Sequence, residues 1–228
     1  ICNNMLISKG NIVFRRLTHS DIELVRKQRN SNDVSQFMEY KEIITPEMQE
    51  KWFKSIDNIY NLYFIIEYKG EKIGLINGRD IDWDNNAMET GIFIWDKNYL
   101  NTHIPMVAVL IFGELGVMTF GLTAYARILK TNHRAKRYNK LLGFKLCEGQ
   151  EEKENQLYKM TKETYISKSK FIRGAFLKLV GTEDTILEFE EHDNENGFAD
   201  LFFNKLNNGS IAKITTKNGL KTLYFKSQ

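Results

Sequence analysis

Cysteine is nearly absent: only Cys2 and Cys147 occur, and neither stands in a metal-type spacing. That excludes a disulfide-stapled fold and a zinc framework, and a reduced, cytoplasmic setting is expected. The four histidines, at 19, 103, 133 and 192, have no ligand spacing, so no metal is expected. Charge of one sign is also lacking, because 32 Lys and Arg against 29 Asp and Glu leave a net +3. An excess that small does not imply a nucleic-acid partner. No apolar run reaches the ~18 residues of a membrane span, and no charged n-region with an apolar h-region opens the chain, so no membrane association is expected. Gly113-x-x-Gly116 falls inside a helical pattern and is no dinucleotide fingerprint. The stretch "HDNENG" lacks the calcium-loop pattern, and Asn208-Gly209-Ser210 reads as a turn.

What is present is a globular composition, with 42% hydrophobic and 12% aromatic residues. A strand is expected over 12–17, followed by a helix that Thr18-His-Ser-Asp21 starts. "TPEMQEKWFKSI" reads as a second helix, with Thr45 as N-cap and Pro46 at the first helical position. Three strands, over 62–68, 72–82 and 88–95, are separated by short turns and imply an antiparallel meander. A helix over 104–120, a strand over 122–129, a further helix and a final hairpin complete the order to residue 161. A strand, helix, strand sequence around 88–129 implies a parallel or splayed pair, since a helical crossover joins such strands. The fold class is therefore α+β, a mixed and mostly antiparallel sheet flanked by helices. Residues 167–228 read as a small extension of helix, strand, helix and hairpin, so the expected organisation is 12–166 and 167–228.

The helix after strand 122–129 carries the most information. In "TNHRAKRYNKLLGF", Asn132 is an N-cap, Ala135, Tyr138 and Leu142 form an apolar stripe, and Gly143 suits the left-handed residue past a helix end. With the element order, this Asn-x-x-Ala…Gly-Phe pattern resembles the last helix of the GNAT acetyltransferase superfamily, over roughly residues 12–166. At the front, "RKQRNSNDVSQFM" and "ITPEMQEKWF" resemble bacterial (UDP-)amino-sugar N-acetyltransferases and, more distantly, ribosomal-protein N-terminal acetyltransferases.

That resemblance implies acetyl-CoA as cosubstrate and direct attack of a primary amine, first of all that of a nucleotide-linked amino sugar, on the thioester. A peptide N-terminal acetyltransferase, or a GNAT-like binding module without catalysis, are the alternatives, and a homodimer is compatible with the resemblance. Glu89 falls where many relatives carry a general base. Phe93, Ile94 and Trp95 fall on the strand that bonds the pantetheine arm. The phosphate loop aligns with Asn101, Thr102, His103, Ile104 and Met106, where Asn101, His103 and Pro105 replace the usual glycines. Asn132 is counted with the cofactor contacts. Asn139 occupies the place of the acid tyrosine, Tyr138 lying one residue earlier and about 100° round the helix. Arg29, Asn30, Met38 and Tyr40 are the implied acceptor contacts.

Overall fold

The computed structural model describes residues 5–180, 184–190, 193, 195, 197–206, 211–218 and 220–226. Cys2, His192, the 208–210 turn and much of "HDNENG" lie outside them. In chain order the elements are β1 (Leu6–Lys9), β2 (Ile12–Arg16), a 3-10 turn (His19–Asp21), α1 (Ile22–Asn30), α2 (Asn32–Ser35) and α3 (Pro46–Ile56). Then come β3 (Leu62–Tyr68), β4 (Glu71–Asp82), β5 (Ala87–Ile94), α4 (Lys97–Leu100) and α5 (Ile104–Gly113), which continues as a π-helical run over Glu114–Thr119. They are followed by β6 (Thr123–Leu129), α6 (His133–Leu142), β7 (Lys145–Leu146), β8 (Asn155–Met160) and α7 (Lys162–Phe176). The tail closes with β9 (Asp184–Glu188), α8 (Phe198–Lys205), β10 (Ile211–Lys217) and β11 (Leu220–Lys226).

Helix ends follow local chemistry. The Thr18 amide and hydroxyl both donate to Asp21 Oδ2, at 3.1 and 2.8 Å, and Thr45 Oγ1 accepts from the Met48 amide at 3.3 Å. Asn132 Oδ1 accepts from the Ala135 amide at 3.0 Å, and Gly143 ends α6 at φ 103°. A side chain there would meet the Thr164 carbonyl oxygen at 2.5 Å, so only glycine fits both the backbone and the space.

Among the described residues the strands form one sheet, ordered β10-β11-β9-β1-β2-β3-β4-β5-β6-β8-β7. Every neighbouring pair is antiparallel except β5 and β6. This is the mixed, mostly antiparallel α+β architecture expected. On one face α1 and α3 set Val25 and Phe53 against Tyr63, Ile65 and Leu75. On the other, α5, α6 and α7 bury Val107, Leu142 and Tyr165 against Ile66, Ala124 and Ile128.

β1 has no counterpart among the sequence-based expectations, and it is the strand on which the tail docks. β9 pairs with β1 on one side and β11 on the other, so the tail prolongs the sheet. Phe198, Phe202 and Leu223 share a core with Phe112 and Val117, and the Phe120 and Phe202 rings meet edge to face at 4.1 Å. Each fully buried phenylalanine contributes ~2 kcal/mol of burial energy.

Candidate active site

β5 and β6 run together for three residue pairs only, Ala87–Thr123, Met88–Ala124 and Glu89–Tyr125. Beyond Glu89, β5 follows β4 to the Gly74–Ile94 pair, whereas β6 follows β8 to the Leu129–Asn155 pair. Each strand keeps its antiparallel neighbour, so the parallel seam opens. From Thr90 to Ile94 one backbone edge of β5 therefore has no strand beside it among the described residues, and an extended amide-bearing ligand can pair with such an edge. Phe93 and Ile94 lie on that stretch. Trp95, the next residue, continues the pairing with β4, its amide donating to the Ile73 carbonyl at 3.0 Å and its indole to the Lys72 carbonyl at 2.8 Å.

α5 follows β5 after the short α4, which contacts both. Its first-turn amides and dipole favour an anion. Asn101, Thr102 and His103 are exposed, while Ile104 and Met106 have buried side chains. Two of the loop's amides are already engaged: Thr102 donates to the Tyr99 carbonyl at 3.0 Å, and Ile104 to Thr102 Oγ1 at 3.2 Å. The amides of His103 and Met106 donate to none of the described residues. Arg134, from the first turn of α6, donates to the Leu100 carbonyl and so brings a guanidinium to the loop that lacks glycines. Asn132 is committed to capping α6, which holds that first turn in place.

Glu89 is mostly buried, with 17% of its side chain exposed. Arg79 of β4 binds its Oε1, and Arg127 of β6 donates from Nε to its Oε2 at 3.2 Å. The carboxylate thus closes the last point at which β4, β5 and β6 are still side by side. On α6, Asn139 Nδ2 donates to the Ala135 carbonyl at 2.9 Å; an amide nitrogen carries two hydrogens, so one remains. Tyr138 packs against the core, and its hydroxyl is buried with no hydrogen-bond partner among the described residues. Burial pushes that phenol far above its ordinary range, so it stays a neutral group.

The acceptor residues divide. The Arg29 guanidinium lies 5.9 Å from the centre of the Phe93 ring, on the gap-forming strand, and its buried Nε has no partner among the described residues. Burial pulls its pKa below the usual arginine value; Tyr63 opposes that and Arg79 adds to it. Asn30 instead locks the loop before α3: its side-chain amide donates to the Ile44 carbonyl and accepts from the Ile44 amide, both at 2.9 Å. Met38 is half-buried in that loop, and Tyr40 is exposed, with its hydroxyl donating to Glu42 Oε2 at 3.2 Å. Arg79 and Arg127, the two arginines on Glu89, were not expected from the sequence. Each is one cation in an alternating strand, and only the register between strands brings them to the carboxylate.

The Acetyltransferase (GNAT) domain family matches residues 11–145, more than half of the chain, and the protein belongs to that family. Solved structures agree in fold. Apo FdhC, described as a nucleotide-linked sugar GNAT, is 21% identical at a TM-score of 0.61, covering 78% of this chain and 99% of that one. Spermidine N-acetyltransferase from Vibrio cholerae, solved with CoA and spermine, is 14% identical at 0.57, covering 68% and 98%. Aminoglycoside acetyltransferase AAC(6')-Ib, solved with coenzyme A, is 15% identical at 0.56, again covering 68% and 98%. No curated protein sequence matches the chain. The family match makes the chain a GNAT acetyltransferase, and two neighbours of the same fold were solved with coenzyme A. No group of three or more His, Cys, Asp or Glu side chains suited to a metal occurs among the described residues, and none of their helices is long and apolar enough to cross a membrane.

Proposed function

We propose that the acceptor is the primary amine of a nucleotide-linked amino sugar. The observation that carries this reading is Arg29, whose half-buried guanidinium lies 5.9 Å from the Phe93 ring centre beside the strand gap and whose buried Nε has no hydrogen-bond partner among the described residues. A desolvated cation without a counter-ion is costly, and an anionic or hydroxyl-rich ligand offsets that cost. A polycation such as spermine would add like charge beside Arg29 and Arg79.

In this reading the pantetheine arm pairs with the open edge of β5 over Phe93 and Ile94, and the cofactor phosphates meet the His103 and Met106 amides and Arg134. The acceptor nitrogen attacks the thioester carbonyl, the C–S bond breaks, and the amine proton leaves through Glu89 to water. Both Glu89 oxygens are held by arginines, so one of them shifts when the amine arrives. Arg79 and Arg127 are similarly exposed, at 42% and 46%, so either can give way. Asn139 offers its remaining N–H to the departing thiolate, which needs little help because free thiols titrate near ~8.5. Met38 lines the apolar side of the sugar.

Release of the CoA thiol, followed with a UDP-linked 4-amino sugar, spermidine and a short peptide, tests the choice. Turnover with the nucleotide sugar alone is expected. Turnover with spermidine or the peptide, and none with the sugar, would refute the acceptor class while leaving the acetyl transfer itself intact.

A further inference from the structure

The sheet face that carries Glu89 continues past β5 onto β6, β8 and β7. Strand register places Arg79 of β4, Glu89 of β5, Tyr125 and Arg127 of β6, and Lys159 of β8 on that one face, with Lys145 of β7 beyond. Arg79, Arg127, Lys159 and Lys145 are all exposed or nearly so. Among the described residues the acids paired with this row are Glu89, bound by both arginines, and Asp80, 3.9 Å from Arg79 Nε. Arg127 uses only its Nε on Glu89, and its two terminal nitrogens donate to none of the described residues. Lys159 Nζ lies 5.8 Å from the Tyr125 ring centre and makes no ion pair with a described residue. On the opposite face, by contrast, the same strands are packed apolar, through Met88, Ala124, Ala126 and Met160.

We infer that this open row, Arg79, Arg127 and Lys159 around Tyr125, is the subsite for the diphosphate of the acceptor. The inference rests on the proposed acceptor class and adds where its charged half sits. The row crosses four adjacent strands, about 14 Å at ordinary strand spacing. It begins at the carboxylate beside the gap, so an amine at Glu89 and a diphosphate over Arg127 and Lys159 belong to one ligand. An arginine fork suits bidentate phosphate oxygens, and a lysine supplies a point charge beside it. Charge complementarity selects this occupant, because the row keeps more cations than acids even with Glu89 and Asp80 counted, and a neutral sugar gains nothing from that excess.

UDP is the probe, titrated by calorimetry into the full chain with CoA saturating, so that a site other than the cofactor's is read. Lys159→Glu should weaken UDP at least about tenfold, and Lys159→Gln less, with acetyl-CoA affinity unchanged, because a charge-assisted contact is lost. Uridine should not bind, and UDP affinity should fall as salt rises. UDP binding of equal strength in Lys159→Glu and the parent, or no UDP binding at millimolar concentration, would overturn the subsite. Failure of acetyl-CoA to bind would sink the enzymatic reading. A UDP site sensitive to Lys159 would still stand in that case.

Discussion

Glu114 should make the protein less stable at high pH, and Glu114→Gln should remove that loss. The side chain sits in the π-helical run after α5, 8% exposed, with Oε1 lacking a partner among the described residues. Burial raises its pKa from 4.5 to about 7, while Lys9 and Arg173 pull the other way. Tyr165, its buried phenolic neighbour, is itself pushed above its ordinary range, first by burial and then by Glu114. The sign follows from proton counting. Between 4.5 and about 7 the unfolded chain has released the proton that the folded chain still holds, so a rise in pH favours unfolding, and the loss is complete above about 7. Two pKa values that far apart give about 2.5 kcal/mol between about pH 5 and about pH 8.5. For a chain of this length that is a Tm difference of roughly 5–10 °C. Thermal unfolding of both proteins across that pH range should show Glu114→Gln gaining on the parent as pH rises. A constant gap, or a variant that loses ground above neutrality, would refute the reasoning.

Asp21 behaves in the opposite sense. Burial alone would raise its pKa, but Arg15 at 2.8 and 2.9 Å, Lys72 at 3.0 Å and Thr18 hold it well below the usual carboxylate range. Its stabilisation is therefore present above the ordinary carboxylate pKa and is lost in acid; Asp21→Asn should cost ~3 kcal/mol at neutral pH in urea unfolding and flatten the acid transition. Asn30→Ala removes two hydrogen bonds to Ile44 at a cost of about 1–3 kcal/mol. It should raise the acceptor KM and expose residues 31–45 to protease while acetyl-CoA affinity holds; an unchanged KM would detach that loop from acceptor binding. Asn139→Ala should lower kcat by one to two orders of magnitude, as loss of a donor to developing charge does, and an unchanged kcat would remove it from the reaction.

The sequence is informative wherever a feature is local. Thr18, Thr45, Asn132 and Gly143 mark their helix ends within four residues, and the meander from Leu62 to Ile94 shows its alternation in the chain itself. β1 escapes because Leu6–Lys9 is four residues long and turns a lysine inward, a choice that makes sense only once Thr185, 176 residues away, accepts from it at 3.4 Å. Asn30 reads as a ligand in isolation because its partner, Ile44, is 14 positions on and contributes only backbone. The arginines on Glu89 depend on register between strands, which periodicity does not encode. The opening of β5 from β6 is visible only as the helical crossover that makes a parallel pair necessary; where the pair stops is set by the competing pairings to β4 and β8.

The most direct test of the central claim is a crystal structure of the chain with acetyl-CoA. The pantetheine amides should hydrogen-bond to the β5 backbone between Thr90 and Ile94, with the thioester near Glu89 and Asn139 and the phosphates at the start of α5. Acetyl-CoA bound elsewhere, with the gap between β5 and β6 left empty or closed, would contradict the account.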